Sequence, residues 1–153
     1  MHVIYDWITQ RDLVCELITS QHRFIKIVLK TKNETALLDW WLKHHLTFGD
    51  DGSIIVFDNE STDPVVLEIY RKYGKRLLVV RYAGNPDMLH DVDQFSNLYD
   101  ALRRSSELYT FIDTDEKLFF TDGSKFFNDV QVIRAIIPST NHNQFFAGYW
   151  AHG

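Results

Sequence analysis

Cysteine is almost missing from this chain: Cys15 is the only one in 153 residues. That excludes an internal disulfide and any cysteine-spaced metal site, and it suits a reducing, cytoplasmic compartment. The seven histidines make no zinc pattern of the His-Glu-x-x-His kind. No apolar run is long enough to span a membrane, and the N-terminus lacks the basic-then-apolar layout of a secretory leader. A basic surplus is missing too: 16 Lys and Arg stand against 21 Asp and Glu, for a net charge of −5. Nucleic-acid binders usually present a basic face, so nucleic acid is not an expected partner. Repeats and low-complexity segments are absent.

What remains is a chain 45% hydrophobic and 14% aromatic, long enough for one domain with its own core. Short β-branched runs alternate with amphipathic stretches, which predicts an α/β sheet of three layers with mostly parallel strands. Residues 1–22 are ambiguous, and Trp7 to Ile18 reads as a short helix or a strand pair. Phe24 to Leu29 reads as a buried strand that ends in the polar turn Lys30 to Glu34. A helix is predicted from Thr35 to Phe48, capped by Asn33 or Thr35, with Leu38, Trp41, Leu42 and His45 on one face. Ser53 to Phe57 is the second predicted strand. Asp63-Pro64 starts another helix, which Gly74 stops. Leu77 to Tyr82 is the third strand, and a helix follows over 93–106. Leu108 to Ile112 is the fourth strand and Val130 to Ile137 the fifth. Residues Pro138 to Gly153 have no clear period, and their aromatic end suggests a truncated chain or an end packed against something else.

In open α/β sheets, ligands bind beyond the carboxyl ends of the strands. Three polar clusters are expected there: Lys30 to Glu34, Asp58 to Ser61, and Asp113 to Glu116. In extended chain, Asp113 and Asp115 project to the same side. Two carboxylates held together repel unless a cation lies between them. Magnesium or manganese is the natural neutraliser, because such ions take one or two carboxylates and fill their other positions with water and phosphate oxygens. The chemistry this serves is departure of a diphosphate. The first turn precedes a helix N-terminus, whose free N–H groups suit a diphosphate, and Lys32 adds a charge there. The competing reading is helix capping by Asn33 and pairing of Glu34 with the helix dipole. Asp58 suits a nucleobase N–H or a ribose hydroxyl, or else a turn that bonds its own backbone. Trp40, Trp41, Tyr70, Tyr73 and Phe95 read as packing. The adjacent rings of His44 and His45 should point in different directions.

Together these segments resemble the glycosyltransferase family 2-like proteins of the GT-A fold. The resemblance spans about 24–120 and is carried by Lys32-Asn33-Glu34 with its following helix, by Asp58-Asn59-Glu60-Ser61-Thr62-Asp63, and by Asp113-Thr114-Asp115-Glu116. It implies nucleotide contacts from Lys32, Asn33, Glu34 and Asp58, and donor and metal contacts from Asp113 and Asp115. It also implies, more loosely, a donor contact from Asn97. A nucleoside-diphosphate sugar would be the donor and Mn2+ or Mg2+ the metal, with a glycan, lipid or protein as acceptor. In some relatives a late histidine joins the metal, a role open to His142 or His152. No acidic base stands out after the metal motif; Asp122 and Asp129 are the nearest acids and fit loop roles better. The chain therefore reads as the donor-binding half of a transferase, or as a catalytically inactive binding module of the same fold. A magnesium-dependent phosphatase also uses Asp-x-Asp after a strand, but its usual threonine or valine is replaced here by Lys117. A nucleotidylyltransferase would need glycines in the first loop, which Lys30 to Glu34 lacks.

Overall fold

A computed structural model describes residues 3–49, 51–121, 124–127 and 129–136. Its centre is a five-stranded sheet in the order β1-β4-β3-β2-β5, built from β1 (Ile4–Asp6), β2 (Arg23–Thr31), β3 (Ile54–Asp58), β4 (Leu77–Arg81) and β5 (Ser106–Asp113). Each neighbouring pair is parallel. Parallel pairing requires crossovers that cover both faces, so the strands are apolar on both sides. Every residue of β3 is accordingly buried.

Helices α1 (Trp7–Thr19) and α4 (Ser96–Ser105) cover one face, where Trp7, Val14, Ile18, Leu98 and Leu102 pack with Val28, Ile55 and Val80 of the sheet. Helices α2 (Leu38–His45) and α3 (Pro64–Tyr73) cover the other, where Leu38, Trp41, Leu42, Val66 and Tyr70 meet Ile27, Leu29, Ile54 and Val79. The expected stripe of Leu38, Trp41, Leu42 and His45 is wholly buried. The expected start of α3 is also found: Asp63 accepts the Val65 N–H at 2.8 Å, and Pro64 occupies the first turn.

The structure corrects several expectations. The open N-terminal segment is a short edge strand leading into α1, which Asp6 caps by accepting the Thr9 N–H at 2.8 Å. Strand β2 runs on through Lys30 and Thr31, so these two residues pair with Phe57 and Asp58 instead of forming a turn. Helix α2 starts three residues later than predicted, at Leu38. Glu34 supplies the reason: its carboxylate accepts from Ala36 N–H at 2.9 Å and Leu37 N–H at 3.0 Å and holds them in a turn before the helix. The run predicted as a fifth strand is a helix, α5 (Val130–Ile136). Asp129 caps it through the Gln131 N–H at 2.8 Å, and Ile133 is buried in the α2/α3 face; tertiary packing has overridden the β propensity of its branched residues. Trp40 is not core: it is 46% exposed, with the Lys117 ammonium 3.1 Å over its ring. After β5 the short pair β6 (Phe120–Thr121) and β7 (Phe126–Phe127) forms a separate antiparallel ribbon. Among the described residues no helix is long and apolar enough to cross a membrane. Asp122, His142, His152 and the aromatic terminal segment lie outside the described residues.

Candidate functional site

The strand order places a reversal between β2 and β5. From β2 the chain proceeds through β3 to β4 on one side, then returns to lay β5 on the other. The two crossovers leave the sheet in opposite directions there, and a crevice opens beyond the carboxyl ends. A cleft of about 160 Å3 lies at that point. Lys30, Thr31 and Lys32 line it from the end of β2, Asn59 from beyond β3, Pro86 from beyond β4, and Asp113 and Thr114 from the end of β5. Ligand pockets usually run from about 300 Å3 upward, so the enclosed part suits phosphate groups while a larger ligand would extend over the open rim.

Parallel register fixes the chemistry at the centre. Lys30 is paired with Asp113, and partners in register point to the same face. The Lys30 ammonium lies 3.5 Å from Asp113 Oδ1 and 3.1 Å from Asp87 Oδ1. Its side chain is only 16% exposed, which keeps this charge less screened than a surface lysine. Lys32 donates to Asn59 Oδ1 at 3.1 Å. Thr31 is buried, and its Oγ1 has no hydrogen-bond partner among the described residues. A buried hydroxyl without a partner is costly, and its residue belongs to the cleft wall.

The acidic turn is built differently from the extended reading. The Glu116 N–H bonds the Asp113 carbonyl at 3.1 Å, so Thr114 and Asp115 form the middle of a tight turn and the alternation argument stops at Asp113. The Glu116 carboxylate returns to accept the Asp113 N–H at 3.2 Å. Burial, reinforced by the nearby charges of Asp113 and Asp115, pushes the Glu116 carboxyl up from its ordinary value.

Helix α2 holds this turn in place with three side chains. The Trp41 indole N–H donates to the Asp113 carbonyl at 3.0 Å. His45 Nε2 accepts the Leu118 N–H at 3.0 Å, while His44 Nε2 bonds the Leu118 carbonyl at 2.8 Å. The adjacent imidazoles, their planes 87° apart, thus both bond the backbone of the same residue, one through its N–H and the other through its carbonyl.

The remaining expected contacts are mostly structural members of the rim. Asn33 sits at φ 48°; its Oδ1 accepts from Thr62 N–H at 2.8 Å and Asp63 N–H at 3.0 Å, and its own N–H donates to Ser61 Oγ at 2.8 Å. It fastens the first turn to the second. Glu34 closes the turn before α2. Asp58 is completely buried, with both carboxylate oxygens 3.2 Å from the Ser61 N–H. Burial pushes its carboxyl up, while bonds from Ser61 and the Arg81 charge pull the other way. Asn97 does not line the cleft; it belongs to a separate hollow beside α1, with residues 8–13. Of the expected set, the cleft brings together Lys32 and Asp113, and Asp115 lies exposed in the adjoining turn.

Lys30, Thr31 and Asn59 fall within the expected polar clusters without being singled out, whereas sequence reasoning missed Pro86 as a cleft residue and Asp87 as the partner of Lys30. One signal was available. Lys26, Val28 and Lys30 share a face of a buried strand, and a lysine at the last position of such a face needs an acidic or anionic partner.

Magnesium and manganese need oxygen ligands, and Asp113 and Asp115 are the residues that would have to supply them here. Among the described residues, no group of three or more His, Cys, Asp or Glu side chains is arranged to hold a metal. An ion held there would therefore have to draw most of its ligands from water and phosphate oxygens.

No protein-family model matches this chain, and neither a curated protein nor a solved structure matches it.

Proposed function

We propose that this chain is the donor-binding domain of a GT-A-type glycosyltransferase, moving a sugar from a nucleoside-diphosphate sugar to a glycan, lipid or protein acceptor with Mn2+ or Mg2+. One observation supports this above the others: a small cleft at the reversal between β2 and β5 combines Lys30, Lys32 and Asp113. Ammonium groups and backbone N–H groups suit the diphosphate, and exposed Asp115 with Asp113 suits the ion riding on it. When bound, the ion would stabilise the negative charge left on the departing diphosphate. Asn33, Glu34 and Asp58 contribute by shaping the turns over which a nucleoside would lie. The single thiol of Cys15 suits a cytoplasmic setting.

A binding module without turnover is the second reading, and Asp129 favours it. This carboxylate caps α5 and so is already committed to a structural role, which removes one of the two acids that follow the turn as a base. Incubation with a panel of sugar nucleotides and Mn2+, with released nucleotide measured, separates the two. Release supports the transferase. Saturable binding without release supports the module. Absence of both overturns the proposal.

A further inference from the structure

Lys30 is a charge at the end of a buried strand. It lies on a strand whose other central positions are buried, and it is the cleft lysine that contacts two carboxylates. Asp113 comes from the end of β5, in register with it. Asp87 comes from the 3-10 turn Pro86–His90 that follows β4. One ammonium thus bridges the two chain segments that face each other across the reversal.

The two bridges are unequal. Asp87 is 77% exposed and Asp113 47% exposed at the side chain, against 16% for Lys30. Ion pairs with such exposed acids contribute little. The lysine is thus held over the cleft by contacts weak enough to exchange for a stronger one. A diphosphate offers that exchange, since it carries more negative charge than a single carboxylate and presents several acceptor oxygens to one ammonium. At the same time the 3.5 Å contact to Asp113 puts a positive charge where a divalent ion would seek its carboxylate. Like charges cannot share that position without loss.

We propose that Lys30 is a diphosphate-binding residue and that it competes with the divalent cation for Asp113. This rests on the donor-binding reading and adds a consequence to it: the diphosphate binds without metal through Lys30, and metal alone binds poorly until the diphosphate has drawn the lysine off Asp113.

The test uses the whole chain with two probes: inorganic pyrophosphate in the presence of a chelator, measured calorimetrically, and Mn2+ alone, measured by electron paramagnetic resonance. Lys30→Gln should weaken metal-free pyrophosphate binding about tenfold and tighten Mn2+ binding by a factor of about three or more. Lys30→Arg keeps the charge and should retain most of the pyrophosphate affinity, an outcome that a purely structural lysine would not give. Pyrophosphate affinity unchanged in Lys30→Gln, lost equally in both variants, or Mn2+ affinity unchanged would each overturn the proposal. Should the wild-type chain take pyrophosphate only with Mn2+, Lys30 loses its role while the donor-binding reading stands. Failure to bind it under either condition removes both.

Discussion

His45 and Leu118 are joined by a bond that decides the histidine's charge. Nε2 accepts the Leu118 N–H at 3.0 Å, and Nδ1 meets the Trp41 carbonyl at 2.9 Å. Only neutral imidazole, protonated on Nδ1, satisfies both partners. Burial pushes this ring down to about 3 from 6.5. The unfolded chain therefore takes up a proton near pH 6.5 that the folded chain refuses until about pH 3, so unfolding becomes easier as pH falls through that window. His44 shifts in the same direction, again through burial. Denaturant titrations from pH 7 to pH 4 should show this decline. His45→Gln should flatten it, and at pH 7 should cost about 1–3 kcal/mol through the disturbed Leu118 N–H. A variant as steep as the parent would mean that His45 does not carry the effect.

Lys26 predicts the opposite end of the pH scale. It is 1% exposed; its ammonium donates to the Ile18 carbonyl at the end of α1 and to Ser105 Oγ at 2.7 Å. Burial, aided by Arg23, brings it down to about 8 from 10.5. Between those values the unfolded chain holds the proton that the folded chain has released, so stability rises with pH, by at most about 1.4 kcal/mol per pH unit. Lys26→Met should abolish this rise. Unfolding curves at pH 8 and pH 10 on both proteins measure it, and equal slopes would contradict the assignment.

Trp41 couples the core to the acidic turn. Its ring is fully buried, and its N–H fixes the Asp113 carbonyl at 3.0 Å. Trp41→Phe should lower stability by about 1–3 kcal/mol and weaken diphosphate binding by more than the small residual unfolded fraction explains. Binding isotherms taken well below the melting transition separate the two effects. Unchanged affinity there would mean that the turn does not need the indole.

Asp58 provides a contrast. With a buried carboxylate committed to Ser61, Asp58→Asn should lower the melting temperature while changing nucleotide affinity by less than about threefold, since the side chain serves the turn. A large loss of affinity at unchanged melting temperature would instead make Asp58 a direct nucleotide contact.

These residues also show what the sequence could carry. The apolar runs around Val28, Ile55 and Val79 gave the strands and their parallel arrangement, and the spacing of Leu38, Trp41, Leu42 and His45 gave the buried side of α2. Asp63-Pro64 and Gly74 marked the limits of α3 through local chemistry. The errors fall where distant residues decide. Val130 and Ile133 have β-branched side chains, yet their helix is selected by burial of Ile133 and by the Asp129 cap. Lys30 reads locally as the start of the polar turn after the strand; its partners come from Asp87 and Asp113, far along the chain. The site's position was legible from strand ends, whereas the turn closing Asp113 to Glu116 and the grip of α2 upon it depend on contacts that no local pattern encodes.

The most direct measurement is a backbone amide NMR titration of the chain with a nucleoside diphosphate and Mg2+. The account predicts saturable shifts concentrated at Lys30 to Lys32, Asn59 and Asp113 to Asp115, and their loss in the Asp113→Ala, Asp115→Ala double variant. Shifts confined to the hollow of residues 8–13 and Asn97, or a double variant that titrates like the parent, would contradict it.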